Sequence, residues 1–140
     1  MSNIDRRVLK GSPNFILLKG SETMDKIQVK RGDIVYIDLG KLHNGSIQDG
    51  YRPCVIIQND IGNKYSPCVI VCPLTSRGKK PIPTHVNIGV EDGLYFDSVV
   101  LCEQIQTRCK SEIRTGAILH ISDDKMKEID KALAISLGLN

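Results

Sequence analysis

A chain of 140 residues with 41% hydrophobic side chains has room for a single domain with a true core. Its net charge of +3, from 19 basic and 16 acidic side chains, is too small for the footprint of a tight duplex-DNA binder, and the absence of Trp argues against a broad base-stacking platform. No stretch approaches the roughly 18–20 consecutive apolar residues of a membrane span, and five cysteines, an odd number, point to a reducing cytoplasm and away from a secreted disulfide framework.

Residues 1–26 carry the breakers Gly11-Ser12-Pro13-Asn14 and Gly20-Ser21 and no sustained period, which predicts a loosely structured N-terminal extension ahead of a domain spanning 27–140. The apolar block at 15–18 is too short for the core of a secretory signal. Alternation over 34–39 predicts a first strand with one face on the core, followed by a polar, Gly-rich loop from 41 to 50. The apolar runs 54–57 and 68–72 read as two central, antiparallel strands buried on both faces and joined by turn residues at 59–63. Three more short strands are expected at 85–88, 99–102 and 117–121. Six short strands in so small a domain favour a closed or half-closed barrel. The period then changes: Ser122 is a suitable N-cap, Asp123 and Asp124 complement the helix dipole, and Met126, Ile129, Leu133 and Leu137 share one face, predicting a helix over 123–137. The fold class is therefore mainly β, with one C-terminal α-helix.

Arg52 is the first candidate for chemistry, because it stands between the flexible loop at 44–50 and a buried strand led by Pro53. A guanidinium there can grip a phosphate through two parallel hydrogen bonds and neutralise charge developing on phosphorus. The alternative is a structural ion pair with Asp33 or Asp38, and the sequence leaves both open. Thr75 ends the strand that begins at Cys68 and is followed by Ser76, Arg77, Gly78, Lys79 and Lys80. Hydroxyl and cationic groups at a strand end suit a phosphate cradle, although a solvated surface turn is the simpler reading of that loop taken alone. Its weight comes from pairing with Arg52 on the neighbouring strand.

The histidines His43, His85 and His120 have no spacing that links them into an acid–base pair, so histidine catalysis is not favoured. Cys54, Cys68 and Cys72 lie in Val/Ile-rich runs, where thiols usually serve as small buried apolar groups. Cys68 and Cys72 are separated by about 13 Å of extended chain, which disfavours zinc. No Walker motif, G-x-G-x-x-G, G-x-S-x-G or H-E-x-x-H occurs. No cofactor or metal is expected, and the remaining chemistry must come from Arg, Thr, Ser and main chain.

The segments at 29–35, at 50–63 and at 103–107 resemble the MazF/PemK toxins, close to their EndoA/NdoA-like branch. The likeness continues through Ser66-Pro67, Pro83-Thr84-His85-Val86, Asp97-Ser98-Val99 and the terminal helix, and covers 27–139. It implies an SH3-like antiparallel barrel, a homodimer, an acidic MazE-like antitoxin partner, and a metal-independent endoribonuclease. Such enzymes cut single-stranded mRNA at a short sequence and leave 2',3'-cyclic phosphate and 5'-hydroxyl ends. The family's catalytic Arg and Thr fall on Arg52 and Thr75, with Ser46, Gln48, Ser76, Arg77 and Lys79 as substrate-contact candidates. Many relatives have Gly-Ser-Glu-Gln in the first loop, whereas this chain has Gly45-Ser46-Ile47-Gln48, so the acidic group is missing there. The competing reading from another class is a non-catalytic toxin on the same barrel, such as a CcdB-like gyrase poison, which would place its weight on the C-terminal helix instead of on Arg52 and Thr75.

Overall fold

The computed structural model describes residues 27–41, 48–76 and 80–139. The expected N-terminal extension lies outside these, as do the candidates His43, Ser46, Arg77 and Lys79.

Seven strands form one mixed-length sheet: β1 (Asp33–Asp38), β2 (Tyr51–Ile56), β3 (Cys68–Ser76), β4 (His85–Ile88), β5 (Ser98–Leu101), β6 (Gln106–Cys109) and β7 (Leu119–His120). Along the sheet the order is β4-β5-β3-β2-β1-β7, with β6 also bonded to β3, and every pairing is antiparallel. It curls into a half-barrel with a helix at its C-terminal end. Among the described residues two α-helices accompany it, α1 (Asp60–Tyr65) and α2 (Asp123–Leu137).

The central strands are buried on both faces, so the sheet separates two apolar clusters. One side gathers Ile34, Tyr36, Val55, Cys72, Leu74 and Val100 under the buried Met126, Ile129 and Ala132 of α2. Val35, Ile37, Cys54, Ile56, Val69, Val71 and Ile113 fill the other. The alternation follows from the period of two in a strand, and both sets come from one run because both faces are covered.

β3 organises the sheet because it is longer than the sequence pattern implied and has different neighbours along its length. Its middle, Val71 to Pro73, bonds β2, its start bonds β6, and its end bonds β5. Pro73 ends the apolar period read from the sequence, yet the strand runs through it to Ser76.

Three expectations need correction. The connection after β2 is not a simple turn but the short helix α1, capped by the Asn59 side chain on the Gly62 N–H at 2.8 Å. Turn-type residues also make good caps, and the Asn63 side chain, bonded to the Gln58 carbonyl and Asp60, closes the turn into a helix. The strand expected at 117–121 shrinks to Leu119–His120, although Ile118 and Ile121 still donate to Ile34 and Gly32 carbonyls. β6 was not expected, since Gln106-Thr107-Arg108-Cys109 has no apolar period and is held by its main-chain ladder on β3.

α2 has the expected limits and N-cap, Ser122 accepting from the Lys125 N–H, and it ends at Gly138 in the left-handed region. Its apolar packing on the core stops at Leu133, however, and Leu137 is 57% exposed. Arg31 ties this helix to the core: it pairs with Asp130 and donates through Nε to the Ile57 carbonyl at 2.9 Å. No helix among the described residues is long and apolar enough to cross a membrane.

Candidate active site

Arg52 belongs to β2 rather than preceding it, and lies across from Ile37 of β1. On its other side the last bonded pair with β3 is Cys54 and Pro73; Arg52 lies two residues beyond it on β2 and Thr75 two residues beyond it on β3, where Thr75 bonds Val99 of β5 instead. Residues two steps from a bonded pair present their side chains on the same face as that pair, the face of Val35, Ile37, Cys54 and Ile56. The two candidates singled out in the sequence thus share one end of one sheet face.

The loop beside them is closed at its base. Leu39 donates to the Gly50 carbonyl at 2.8 Å and Gly50 to the Gly40 carbonyl at 2.7 Å. Both glycines hold positive φ, 79° and 73°, a conformation that a side chain would strain. Asp49, just inside this base, accepts the Arg52 Nε–H on its main-chain carbonyl at 2.9 Å. That bond anchors the guanidinium by its stem and leaves the two Nη groups without a partner among the described residues.

The structural alternative for Arg52 is not realised. Asp33 accepts from the Lys30 N–H and pairs with His120 at 2.8 Å, while Asp38 accepts from the Gly40 N–H and faces Arg114 at 3.9 Å. Neither carboxylate reaches Arg52.

Thr75 is only 8% exposed, and its hydroxyl has no partner among the described residues. The oxygen is not among the side-chain atoms sealed from solvent without a partner, so solvent reaches it and it is free to donate to an incoming acceptor. Ser76, the next residue on β3, turns to the opposite face and is exposed, so it does not join the pair. Gln48 is half-buried, and its N–H donates to the Gln104 side-chain carbonyl at 3.0 Å. Gln104 therefore pins the C-terminal end of the first loop close to Arg52, a role for which its place in a polar stretch gave no separate signal.

A second arginine on the same face was not singled out. Arg108 of β6 opposes Val69, bonds Glu112 at 2.6 Å and the Asp38 carbonyl at 3.2 Å, and reaches the Gln106 side chain at 3.4 Å. Its Nε and the Gln106 Nε2 are sealed from solvent without partners among the described residues. Cys54 lies between the two arginines: burial pushes its thiol far up, while Arg108 and then Arg52 pull the other way. It is the inert, buried thiol that the sequence pattern suggested.

His85 pairs with Glu103 at 3.0 Å and His120 with Asp33, so each of these histidines has its own carboxylate and neither meets Arg52 or Thr75. Among the described residues no group of three or more His, Cys, Asp or Glu side chains gathers to hold a metal. A cavity of about 750 Å³, lined by Val29, Lys30, Asn63, Tyr65 and Lys110 among others, lies beside α1 and contains none of the candidate residues.

Residues 30–137 match the family described as PemK-like, MazF-like toxin of type II toxin–antitoxin system. The chain is 50% identical over 116 residues to the endoribonuclease MazF of Staphylococcus saprophyticus, covering 80% of this chain and 93% of that one. Among solved structures, a mycobacterial endoribonuclease in complex with its cognate antitoxin aligns with a TM-score of 0.67 at 29% identity, over 80% of this chain and 97% of its own. MazF from Deinococcus radiodurans shares the fold with a TM-score of 0.69 at 23% identity, over 81% and 99% of the two chains.

Proposed function

We propose, on the premise that the chain belongs to the PemK-like, MazF-like toxin family of type II toxin–antitoxin systems, that it is a sequence-specific endoribonuclease which cuts single-stranded mRNA without a metal. The observation that carries the site is the free Nη edge of Arg52 on the same sheet face, and two residues beyond the same last bonded pair, as Thr75, whose hydroxyl bonds no described group. The 50% identity to an endoribonuclease supports the activity.

In this reading the ribose 2'-oxygen bonds to the adjacent phosphorus as the bond from phosphorus to the 5'-oxygen breaks. The 2'-hydroxyl loses its proton and the departing 5'-oxygen gains one, giving a 2',3'-cyclic phosphate and a 5'-hydroxyl. Two negative charges build up on the nonbridging oxygens of the intermediate. Arg52 donates two parallel N–H groups to them and keeps its positive charge throughout, while the Thr75 hydroxyl donates to a nonbridging oxygen. Because Arg52 is held by Asp49 and Thr75 by its strand, neither must be ordered as the charge develops, which is where fixed donors contribute most. Gln48, Ser46, Arg77 and Lys79 supply contacts to the flanking nucleotides, whereas Ser76, on the opposite face, does not.

The protein works in the cytoplasm as a homodimer and is silenced by an acidic antitoxin, as the antitoxin-bound mycobacterial relative suggests. That partner competes with RNA for the first loop and the basic loop at 77–80.

The test is to incubate purified protein with a defined RNA and excess EDTA and to analyse the new ends by mass spectrometry. Cyclic phosphate ends, unaffected by chelator and absent from Arg52→Ala, are expected. Intact RNA across varied sequences together with inhibition of DNA gyrase would overturn the assignment in favour of a non-catalytic toxin.

A further inference from the structure

Cys68 and Cys109 stand directly opposite each other at the far end of β3 from Thr75, at the start of its pairing with β6. The N–H of Lys110 donates to the Pro67 carbonyl at 2.9 Å, so the pair next to them is the hydrogen-bonded one. Cys68 and Cys109 are therefore a non-hydrogen-bonded pair, the type with the closer approach, with Cα atoms typically about 4.5 Å apart. Disulfides span Cα separations of roughly 4.4 to 6.8 Å, so the two ranges meet. Cys68 is the foremost cause that raises Cys109 above the ordinary thiol range, ahead of desolvation and Glu112. Cys109 is exposed and Cys68 half-buried, whereas Cys54, Cys72 and Cys102 are buried. Within the described sheet β6 pairs only with β3, so the Cys68–Cys109 pair lies on an edge strand of the sheet.

We propose that Cys68 and Cys109 are a redox modification site, a cross-strand dithiol that closes into an intramolecular disulfide on meeting a small-molecule disulfide. The Cys109 thiolate attacks the small disulfide, forming a mixed disulfide and expelling one small thiolate. The Cys68 thiolate then attacks the Cys109 sulfur, forming the protein S–S bond and expelling the second. The two protein sulfurs together lose two electrons, the reagent gains them, and the two expelled thiolates take up the protons the protein thiols gave up. In a reducing environment the pair stays open. When closed, it staples β6 to β3 and shortens the unfolded chain's freedom across a long loop. Thr75 lies seven residues further along β3, about 23 Å of extended strand, so the staple stabilises the sheet without touching the phosphate site.

The full-length native protein is incubated with oxidised glutathione, alkylated, and mapped by proteolysis and fragmentation without reduction. Expected are a loss of two hydrogens in intact mass, one linkage between Cys68 and Cys109, and a melting temperature that rises by several degrees and returns with dithiothreitol. RNA cleavage should change by less than about twofold. Cys109→Ser, an exposed and conservative change, should abolish both the linkage and the rise. A stable glutathione adduct on Cys109 with Cys68 still alkylated, a linkage between Cys72 and Cys102, or a bridge between two molecules would overturn the proposal.

Discussion

Two arginines stand on one face of the same sheet, and their surroundings could hardly differ more. Arg108 spends its Nη groups on Glu112, the Asp38 carbonyl and Gln106, and its Nε is sealed off. Arg52 spends only its Nε, on the Asp49 carbonyl, and leaves the opposite edge of the guanidinium open. The first arginine has both Nη groups committed within the protein and serves to close the fold, tying β6 to the end of β1. The second is anchored but unsatisfied, which is what a group awaiting a phosphate requires. A guanidinium's use is thus set by which of its five N–H groups the protein has left over, not by its presence on a functional face.

The sharpest way to break this contrast is to exchange the two truncations. Arg52→Ala should lower the rate of RNA cleavage by about a thousandfold or more, the scale of losing a fixed transition-state donor that also carries charge. Its melting temperature should stay within about a degree of the parent, since only one surface-side hydrogen bond is lost. Arg52→Lys should recover little, because an ammonium cannot make two parallel bonds. Thr75→Val, which keeps the shape and removes the hydroxyl, should cost roughly ten- to a hundredfold in kcat with KM nearly unchanged.

The reciprocal change acts on stability. Arg108→Met should leave cleavage within a few-fold but reduce unfolding free energy by about 1–3 kcal/mol, measured by chemical denaturation, because the Asp38 carbonyl and Glu112 lose their partner. Retained stability together with lost cleavage in that variant would reverse the roles assigned to the two arginines.

Smaller effects sharpen the same picture. Gln104→Leu frees the Gln48 N–H at the base of the first loop, and KM for RNA should rise several-fold with a lesser fall in kcat. The least effect is expected far from the site, at Asp60. Its carboxyl is held below the usual carboxylate range, first by the Arg31 N–H and then by the Asn63 side chain. A depressed folded-state value means that its stabilisation is present above the unfolded value and is lost as pH falls through the folded one. Asp60→Asn should therefore melt slightly lower than the parent at neutral pH, and the two curves should converge below about pH 4.

Much of this molecule was legible because its signals are local. The limits of α2 follow from Ser122, the acidic first turn and Gly138, and the strand at His85–Ile88 from alternation and flanking turns. β6 was hidden because an edge strand with a polar face has no period to reveal it. α1 was hidden because Asn59 and Asp60 signal a turn and a helix cap alike. The candidate pair was visible as residue types at the ends of two apolar runs, but that Arg52 has no carboxylate partner was not, since Asp33 and Asp38 are occupied by His120 and Arg114, distant in the chain.

Composition and period determined by themselves that this chain makes a β-rich domain closed by a C-terminal helix, because the burial of apolar faces at periods of two and 3.6 is a property of neighbouring residues. Register and saturation belonged to the tertiary structure. Whether Arg52 meets Thr75, which guanidinium is left with unpaired donors, and that Cys68 faces Cys109 depend on contacts between segments tens of residues apart. A shift of one residue in strand pairing would have moved each of them to the opposite face.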